Sequence, residues 1–172
     1  ENSLSREKEE KLKKYVENEL NSIYLSTPFS RAAADFLMDI GIKFFKIGSG
    51  ECNNLPLLKH IAKFNKPMIL STGMNNIKSI KKSVSLLNQY DVPLIIMHTT
   101  NSYPCPDQFV RLGCIQELKE AFNHKVLVGY SDHSVGEIAS YGAVSMGACL
   151  IEKHFTDTFE RTGPDIECSM DP

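Results

Sequence analysis

The sequence has few cysteines, and none of them forms a Cys-x-x-Cys pair. The five cysteines of the 172-residue chain are odd in number and widely spaced, at positions 52, 105, 114, 149 and 168. This pattern argues against a disulfide framework and against a structural zinc knot. It favours a reducing compartment, and we therefore expect a cytoplasmic protein.

An excess of charge of either sign is also lacking. The chain has 19 Lys and Arg residues against 21 Asp and Glu residues, which gives a formal net charge of −2. This balance provides no electrostatic reason to expect a nucleic acid or an anionic membrane as a partner. An anionic ligand would have to be held by local donors rather than by the field of the whole protein.

Long apolar runs are absent, since none approaches the roughly 18 residues of a membrane span. No secretory leader is visible, and the first residue is Glu1 rather than Met. The length fits a single domain. We expect the chain to be a piece of a longer protein.

Short apolar runs alternate with amphipathic segments along most of the chain. Residues 3–20 are rich in Lys and Glu with one apolar face, which predicts an amphipathic helix. The alternation that follows predicts parallel strands separated by helices, with Ser30 as the N-cap of the first of these helices and Gly41 as its stop. The expected strands are 23–25, 42–47, 67–70, 93–97, 126–128 and 149–151, followed by an irregular tail from residue 155.

Each of these six runs ends in polar residues. Six polar ends in register are typical of the ligand face of a β/α barrel, which needs eight units and about 250 residues when complete. We therefore predict an α/β fold, a partial (β/α)8 (TIM) barrel with about six βα units. In it, residues 1–22 precede the first strand, and residues 23–172 form strands 3–8. A doubly wound open sheet is the alternative, but such a sheet binds its ligand only at its switch point, which would leave most of the polar strand ends without a function.

Two histidines lie at the ends of neighbouring predicted strands. His133 follows the run 126–128, and His154 follows the run 149–151. Adjacent parallel strands are about 4.8 Å apart, so the two imidazoles could converge on a metal or a phosphate. Two histidines are too few for a closed zinc site, but they would leave positions open for water and a substrate oxygen, as in a Lewis-acid site.

One inward-pointing lysine and several small donors suggest an anion site. Lys46 lies in an apolar strand, where an ammonium group is costly unless an anion meets it. Lys153 is different, because it could simply pair with a local acid. Four strand ends carry short neutral donors, and three glycines would let backbone amides approach an anion closely. Two carboxylates could bind sugar hydroxyls or transfer protons. These residues are Ser49, Ser71, Asn101 and Ser131; Gly48, Gly50 and Gly73; and Glu51 and Asp165.

Seven short segments carry a resemblance to a known family. Their sequences are KIGSGE (46–51), LSTGM (70–74), TTNSYP (99–104), VRLG (110–113), GYSDH (129–133), EKHFT (152–156) and GPD (163–165). In this order they resemble the signatures of the sialic acid synthases, and more narrowly of the bacterial N-acetylneuraminate synthases. The resemblance runs from about residue 26 to residue 172.

The resemblance implies a reaction and a set of site residues. The family condenses phosphoenolpyruvate with N-acetylmannosamine and water, with C–O bond cleavage and a divalent metal, most often Mn²⁺, with Mg²⁺ or Co²⁺ as alternatives. It implies that His133 and His154 bind the metal, and Glu51 is the candidate for proton transfer. The implied phosphoenolpyruvate ligands are Thr27, Lys46, Ser49, Ser71, Asn101 and Ser131, and the implied sugar ligands are Glu51, Tyr103 and Asp165.

The resemblance also implies a homodimer with small-molecule substrates and neither a nucleic acid nor a membrane as partner. From the resemblance we expect this chain to lack the family's first two barrel strands and its C-terminal antifreeze-like domain. A synthase of a related sugar acid, legionaminic or pseudaminic acid, is the first alternative, although the stretch GPDIECSM (163–170) is more similar to the N-acetylneuraminate branch. A catalytically silent barrel fragment that binds a metal or an anion is the second.

Overall fold

Residues 4–172, which the computed structural model describes, contain helices and strands that alternate from β1 to β5. The helices are α1 (Arg6–Asn18), α2 (Arg31–Asp39), α3 (Leu55–Ala62), α4 (Ile77–Asn88), α5 (Cys114–Ala121) and α6 (Ile138–Ser145). The strands are β1 (Phe45–Ile47), β2 (Met68–Ser71), β3 (Leu94–Thr99), β4 (Leu127–Asp132), β5 (Ile151–Phe155) and β6 (Ser169–Met170). Short 3₁₀ turns occupy Ser49–Glu51, Asp107–Phe109 and Ile166–Cys168.

The first four helices, α1 to α4, begin at a residue whose side chain caps the helix. Ser30 accepts a hydrogen bond from the amide of Ala33 at 3.1 Å and caps α2, as predicted. Asn54 and Asn76 cap α3 and α4 in the same way. Gly41 follows α2 with a φ of +77°, a left-handed conformation that glycine adopts at little cost, so the predicted stop is confirmed.

The sheet is strongly curled, as a contact between its first and fifth strands shows. The strands run parallel in the order β1-β2-β3-β4-β5-β6. In a flat sheet β1 and β5 would lie roughly 19 Å apart, which is too far for two side chains to bridge. Instead, Lys46 Nζ on β1 lies 2.6 Å from Glu152 Oε2 on β5. The sheet therefore bends round as a barrel wall does, and the predicted partial (β/α)8 barrel is confirmed.

Two strand predictions were wrong. Residues 23–25 form no strand; Tyr24 Oη and Ser26 Oγ each donate to Glu9 Oε1 on α1 at 3.0 Å, so side chains tie this segment to α1. The sixth strand is instead β6, in the tail expected to be irregular, where Ser169 pairs with His154. A two-residue strand is too short to show the alternation that identifies a strand in sequence.

The two faces of the sheet differ in chemistry. Successive side chains of a strand point to opposite faces, so Lys46 points into the curl while Phe45 and Ile47 point toward the helices. The Phe45 ring stacks on Phe64, which follows α3, with centroids 5.7 Å apart. The main apolar core therefore lies between sheet and helices, whereas the concave face carries the polar groups of the strand ends together with apolar side chains such as Ile69 and Met97. Members of the main core include Leu58, Ile61, Ile80, Leu87, Ile96 and Ile115.

The helices of the described chain, residues 4–172, are short or polar. None of them combines the length and the apolar character that a bilayer span requires.

Candidate functional site

Three rings gather at the carboxyl ends of β3, β4 and β5. His133 follows β4, and His154 lies within β5; their ring centroids are 5.4 Å apart. Tyr103, from the loop after β3, lies 4.0 Å from the His133 ring and 5.5 Å from the His154 ring. The predicted convergence of the two imidazoles is thus confirmed as geometry, and Tyr103 joins them.

The tautomer of His133 follows from its partner. Nδ1 lies 2.8 Å from the carbonyl oxygen of Thr100, and a carbonyl can only accept, so Nδ1 carries the proton and Nε2 a lone pair. Burial lowers the pKa of His133, and the neighbouring His154 lowers it further, against the opposing effect of the Thr100 carbonyl. His133 is therefore a neutral imidazole near pH 7 with one nitrogen available to a ligand.

His154 faces an acid from the segment that precedes β6. Its Nδ1 lies 3.7 Å from Asp165 Oδ2, which is too far for a hydrogen bond. Asp165 has a φ of +65°, and its carbonyl oxygen accepts a hydrogen bond from Ser169 Oγ at 2.8 Å. Burial raises the pKa of the Tyr103 phenol, and the Asp165 carboxylate raises it further. The predicted sugar ligands Tyr103 and Asp165 therefore both lie beside the histidine pair.

Lys46 meets an anion of its own chain. Its Nζ donates to Glu152 Oε1 at 2.7 Å and to Oε2 at 2.6 Å, and Ser131 Oγ donates to Oε1 at 2.7 Å. Burial by itself would raise the pKa of Glu152, but the Lys46 ammonium and the Ser131 hydroxyl outweigh it and hold the pKa below its usual range. The anion that the sequence argument required for Lys46 is therefore supplied by the protein.

Glu152 was missed by the sequence argument, although a signal was present. It lies two residues before His154 in β5, so both side chains belong to the same face of the strand. The sequence argument predicts a ligand as the partner of Lys46, because no sequence pattern indicates that two residues 106 positions apart come together.

The other predicted ligands are spread along the rim. Ser71 is the buried last residue of β2, and Ser49 opens the turn after β1, where its carbonyl accepts from Asn75 Nδ2 at 2.9 Å. Thr27 lies beside that turn, since its Cγ2 would be 3.9 Å from a Cβ on Gly48. Glu51 accepts from Asn54 Nδ2 at 2.5 Å, and within residues 4–172 it forms no hydrogen bond to another predicted site residue.

Gly73 and Asn101 bring the loops after β2 and β3 into close contact. A Cβ on Gly73 would overlap the Asn101 side-chain oxygen and would lie 2.8 Å from Thr99 Cγ2. Only glycine therefore lets Asn101 occupy its place on the rim.

Replacing Gly73 with alanine is expected to destabilise the protein by about 1–3 kcal/mol, the usual cost of overfilling a packed site. Chemical denaturation of Gly73→Ala measures this change. Gly113→Ala is the matched control, because a Cβ at Gly113 meets nothing within 4 Å. Equal stability of the two variants would show that Asn101 moves aside freely.

Lys153 pairs with a local acid, as the sequence argument allowed. Its Nζ lies 3.3 Å from Asp132 Oδ2 and donates to the Ser134 carbonyl at 2.5 Å. Asp132 is completely buried and also accepts from the hydroxyls of Ser134 and Ser140 at 2.7 and 2.6 Å. Burial would raise the pKa of Asp132, but these hydroxyls and the Lys153 ammonium hold it low. Asp132 and Lys153 directly precede the two histidines on the opposite face of their strands.

The histidine pair fits a divalent ion in an open site. His133 presents a neutral nitrogen, and the His154 ring lies close enough to share one ion with it. Among the described residues, no group of three or more His, Cys, Asp and Glu side chains converges on a common point. An ion held here would therefore have two protein ligands, and water or substrate would fill its other positions.

A cavity adjoins this rim. Its volume is about 710 Å³, and it is lined on the rim side by Gly73 and Asn101 and on the far side by Arg111 and Glu117. Lys46, His133 and His154 do not line it, although Thr100, whose carbonyl contacts His133, does. The cavity therefore extends from the predicted site toward α5.

The fold and the site define a protein of the β/α-barrel class, with its polar cluster at the carboxyl ends of the strands. Within that class, the chain belongs to the NeuB family, whose sequence model matches residues 1–172.

Curated relatives include synthases of several sugar acids. The chain is 46% identical over 155 residues to the N,N'-diacetyllegionaminic acid synthase of Campylobacter jejuni, a match that covers 88% of this chain and 46% of that protein. It is 36% identical over 155 residues to the N-acetylneuraminate-9-phosphate synthase of Drosophila melanogaster, over 90% of this chain and 41% of that protein. The chain thus spans a little less than half the length of these two relatives.

A solved structure has the same fold. The N-acetylneuraminic acid synthetase of Leptospira borgpetersenii superimposes with a TM-score of 0.92 at 31% identity, covering 98% of this chain and 58% of that one.

Proposed function

We propose that the complete protein condenses phosphoenolpyruvate with N-acetylmannosamine and water to give N-acetylneuraminate and phosphate. The observation that carries this proposal is the position of the His133–His154–Tyr103 cluster on the same concave rim as Lys46, in a chain of the NeuB family. One part of this rim can hold an anion, and the other can hold a polarised sugar aldehyde.

The phosphoenolpyruvate would lie against Lys46 and the small donors of the strand ends. The Lys46 charge is already balanced by Glu152, so neutral groups must supply much of the attraction for phosphate and carboxylate. Short hydroxyl and amide donors suit both anions, because they add hydrogen bonds without adding charge. In our proposal these donors are Thr27, Ser49, Ser71, Asn101 and Ser131.

The sugar would lie against Tyr103, Asp165 and Glu51. His133 and His154 would hold a divalent ion, Mn²⁺ in our proposal, which when bound supplies Lewis-acid polarisation of the sugar aldehyde. Tyr103 packs against both imidazoles and keeps its proton near neutral pH, because its phenol pKa is raised. It can therefore donate a hydrogen bond to a sugar oxygen.

The bond changes balance without another co-reactant. C3 of the enol attacks the aldehyde carbon and forms the new C–C bond, while the carbonyl oxygen becomes a hydroxyl. Water adds at the electron-poor C2 and gives up one proton, which balances the proton taken by the new hydroxyl. The C2–O bond to phosphate then breaks as the C2 hydroxyl becomes a carbonyl, and its proton leaves with the phosphate. Glu51, anchored by Asn54, is the group of this chain that we assign to proton transfer.

A second candidate is the synthesis of N,N'-diacetyllegionaminic acid. The specific observation that favours it is the 46% identity to the Campylobacter jejuni enzyme of that name. Such a product requires a sugar that carries two acetamido groups. The two candidates share the chemistry at phosphoenolpyruvate and differ only in the sugar.

The complete gene product is expected to prefer unphosphorylated N-acetylmannosamine to its 6-phosphate. Within residues 4–172 no cationic cluster lies beside Tyr103 or Asp165 to receive a second phosphate; Arg161, nearby in sequence, is engaged by Asp157. Both sugars and a diacetamido sugar are compared at equal concentration, with Mn²⁺, by mass spectrometry of the products. Preference for the 6-phosphate contradicts this prediction, and preference for the diacetamido sugar selects the second candidate.

Isotopic labelling tests the reaction type separately. With ¹⁸O in the bridging position of phosphoenolpyruvate, C–O cleavage sends the label into the released phosphate. Label retained in the sugar acid would mean P–O cleavage instead. Turnover of none of the three sugars would favour a silent, metal- or anion-binding barrel.

A further inference from the structure

One carboxylate links three strands inside the curl. Glu152 on β5 accepts two hydrogen bonds from Lys46 on β1 and one from Ser131 on β4. Ser131 and Glu152 are also paired in the register of β4 and β5. Glu152 thus reaches sideways to its neighbour and across the barrel to Lys46.

Glu152 anchors two groups of the proposed anion site. Both of its oxygens lie within hydrogen-bond distance of Lys46 Nζ, at 2.7 and 2.6 Å, so the amine is held against one carboxylate. An ammonium group has three N–H bonds, and the two oxygens of one carboxylate lie too close together to accept from all of them, so Lys46 keeps a donor for a ligand. Ser131 Oγ lies 2.7 Å from Glu152 Oε1 and 3.3 Å from His133 Nε2, so its hydroxyl is held between this carboxylate and the histidine pair.

We propose that Glu152 is a positioning residue of the anion site, which holds the Lys46 amine and the Ser131 hydroxyl in place on the concave face before phosphoenolpyruvate binds. This inference deepens the proposed function and rests on it for the identity of the anion, phosphoenolpyruvate. Two of the residues assigned to that anion, Lys46 and Ser131, are thus anchored by one carboxylate.

The position of Lys46 explains why such a residue is needed. Phe45 and Ile47 on either side of it are fully buried, and Lys46 itself is only 8% exposed. An ammonium group there without a counterion would be costly, and a flexible lysine chain has many rotamers to lose. Glu152 supplies this counterion and holds the amine in one place before the substrate binds.

The test is a double-mutant cycle on the complete gene product. Glu152→Ala is expected to raise the KM for phosphoenolpyruvate about 10- to 100-fold, the usual effect of removing a group that orients a ligand-binding side chain. The KM for the sugar should change little. Glu152→Gln should show a smaller rise, because its amide oxygen still accepts a hydrogen bond. In a Lys46→Ala background, Glu152→Ala should add almost nothing, since Glu152 acts through Lys46.

Binding is measured as well as turnover, by calorimetric titration of phosphoenolpyruvate and of inorganic phosphate. Glu17→Ala is the matched control, because it removes a Lys–Glu pair, with Lys13 on α1, away from the rim. Thermal melting identifies any variant that does not fold. If Glu152→Ala is one of them, the same cycle with Glu152→Gln decides.

Two results would overturn the inference. A lower KM or tighter phosphoenolpyruvate binding in Glu152→Ala would mean that the carboxylate competes with the substrate for Lys46. Additive effects of Lys46→Ala and Glu152→Ala would mean that the two residues act independently. Failure of the proposed function looks different, because the parent protein would then turn over none of the sugars, whereas the binding cycle could still be measured.

Discussion

Replacing His133 or His154 with alanine in the complete gene product is expected to remove most of its metal-dependent activity. The described chain supplies two imidazoles and no cluster of three ligands, so one remaining histidine cannot hold a hard divalent ion against water. Loss of polarisation at the aldehyde is worth several kcal/mol, or on the order of a hundredfold or more in kcat/KM. Phosphoenolpyruvate binding should survive better, because Lys46 and Glu152 are left in place.

The measurement is a manganese titration of activity with a melting curve for each variant. Mn²⁺ binding is followed directly by electron paramagnetic resonance, so that the ligand assignment does not depend on turnover. His124→Ala is the matched control, since His124 is exposed in the loop before β4. If both variants melt early but respond to manganese as the parent does, the histidines are structural and the metal assignment is wrong.

Replacing Lys153 with methionine is expected to cost about 3–5 kcal/mol of unfolding free energy, the typical penalty for leaving one partner of a buried ion pair alone. Asp132 is completely buried, and the Lys153 side chain is 6% exposed. Methionine preserves most of the apolar stem, so the loss reports on the charge. The pair also joins β4 to β5 in register beside both histidines, and the variant should therefore also weaken Mn²⁺ binding.

Equilibrium denaturation measures the loss, and a second variant tests its cause. Asp132→Asn combined with Lys153→Met removes both charges; the amide oxygen can still accept from Ser134, and the amide nitrogen can donate to Ser140 Oγ, so the double variant should recover much of the lost stability. The matched surface pair is Arg161 with Asp157, both well exposed; Arg161→Ala should leave stability unchanged within error. A loss in Lys153→Met no larger than in Arg161→Ala would mean that water reaches the buried pair.

Much of the rim could be predicted because it depends on local order along the chain. Parallel strands deliver their carboxyl ends to one edge, so polar residues after successive apolar runs must collect there. This placed His133 beside His154, and alternation in β1 turned Lys46 into the curl. Caps such as Ser30 are local in the same sense, since a cap needs only the amide three residues on.

The roles of the site residues stay predictions, since proximity alone does not assign chemistry. Thr27 and Tyr103 were drawn from family resemblance rather than from any physical pattern. Tyr103 is nevertheless in ring contact with both histidines. Glu51 is held within its own turn by Asn54, so its part in proton transfer rests on the proposal alone.

The sequence by itself determined the order of strands β1 to β5, the edge where the polar groups meet and the pairing of the two histidines, because each depends on residues that are close in the chain or on adjacent strands. Only the tertiary structure decided which charges meet. Lys46 and Glu152 are 106 residues apart, and the curl that joins them is a property of the whole sheet. Whether the Lys46 ammonium group meets a substrate anion or a carboxylate of its own chain depends on that curl, and no periodicity in the sequence predicts the curl. The strand β6 is a further example, since its two residues pair with β5 across a loop in which Asp165 has a left-handed backbone conformation.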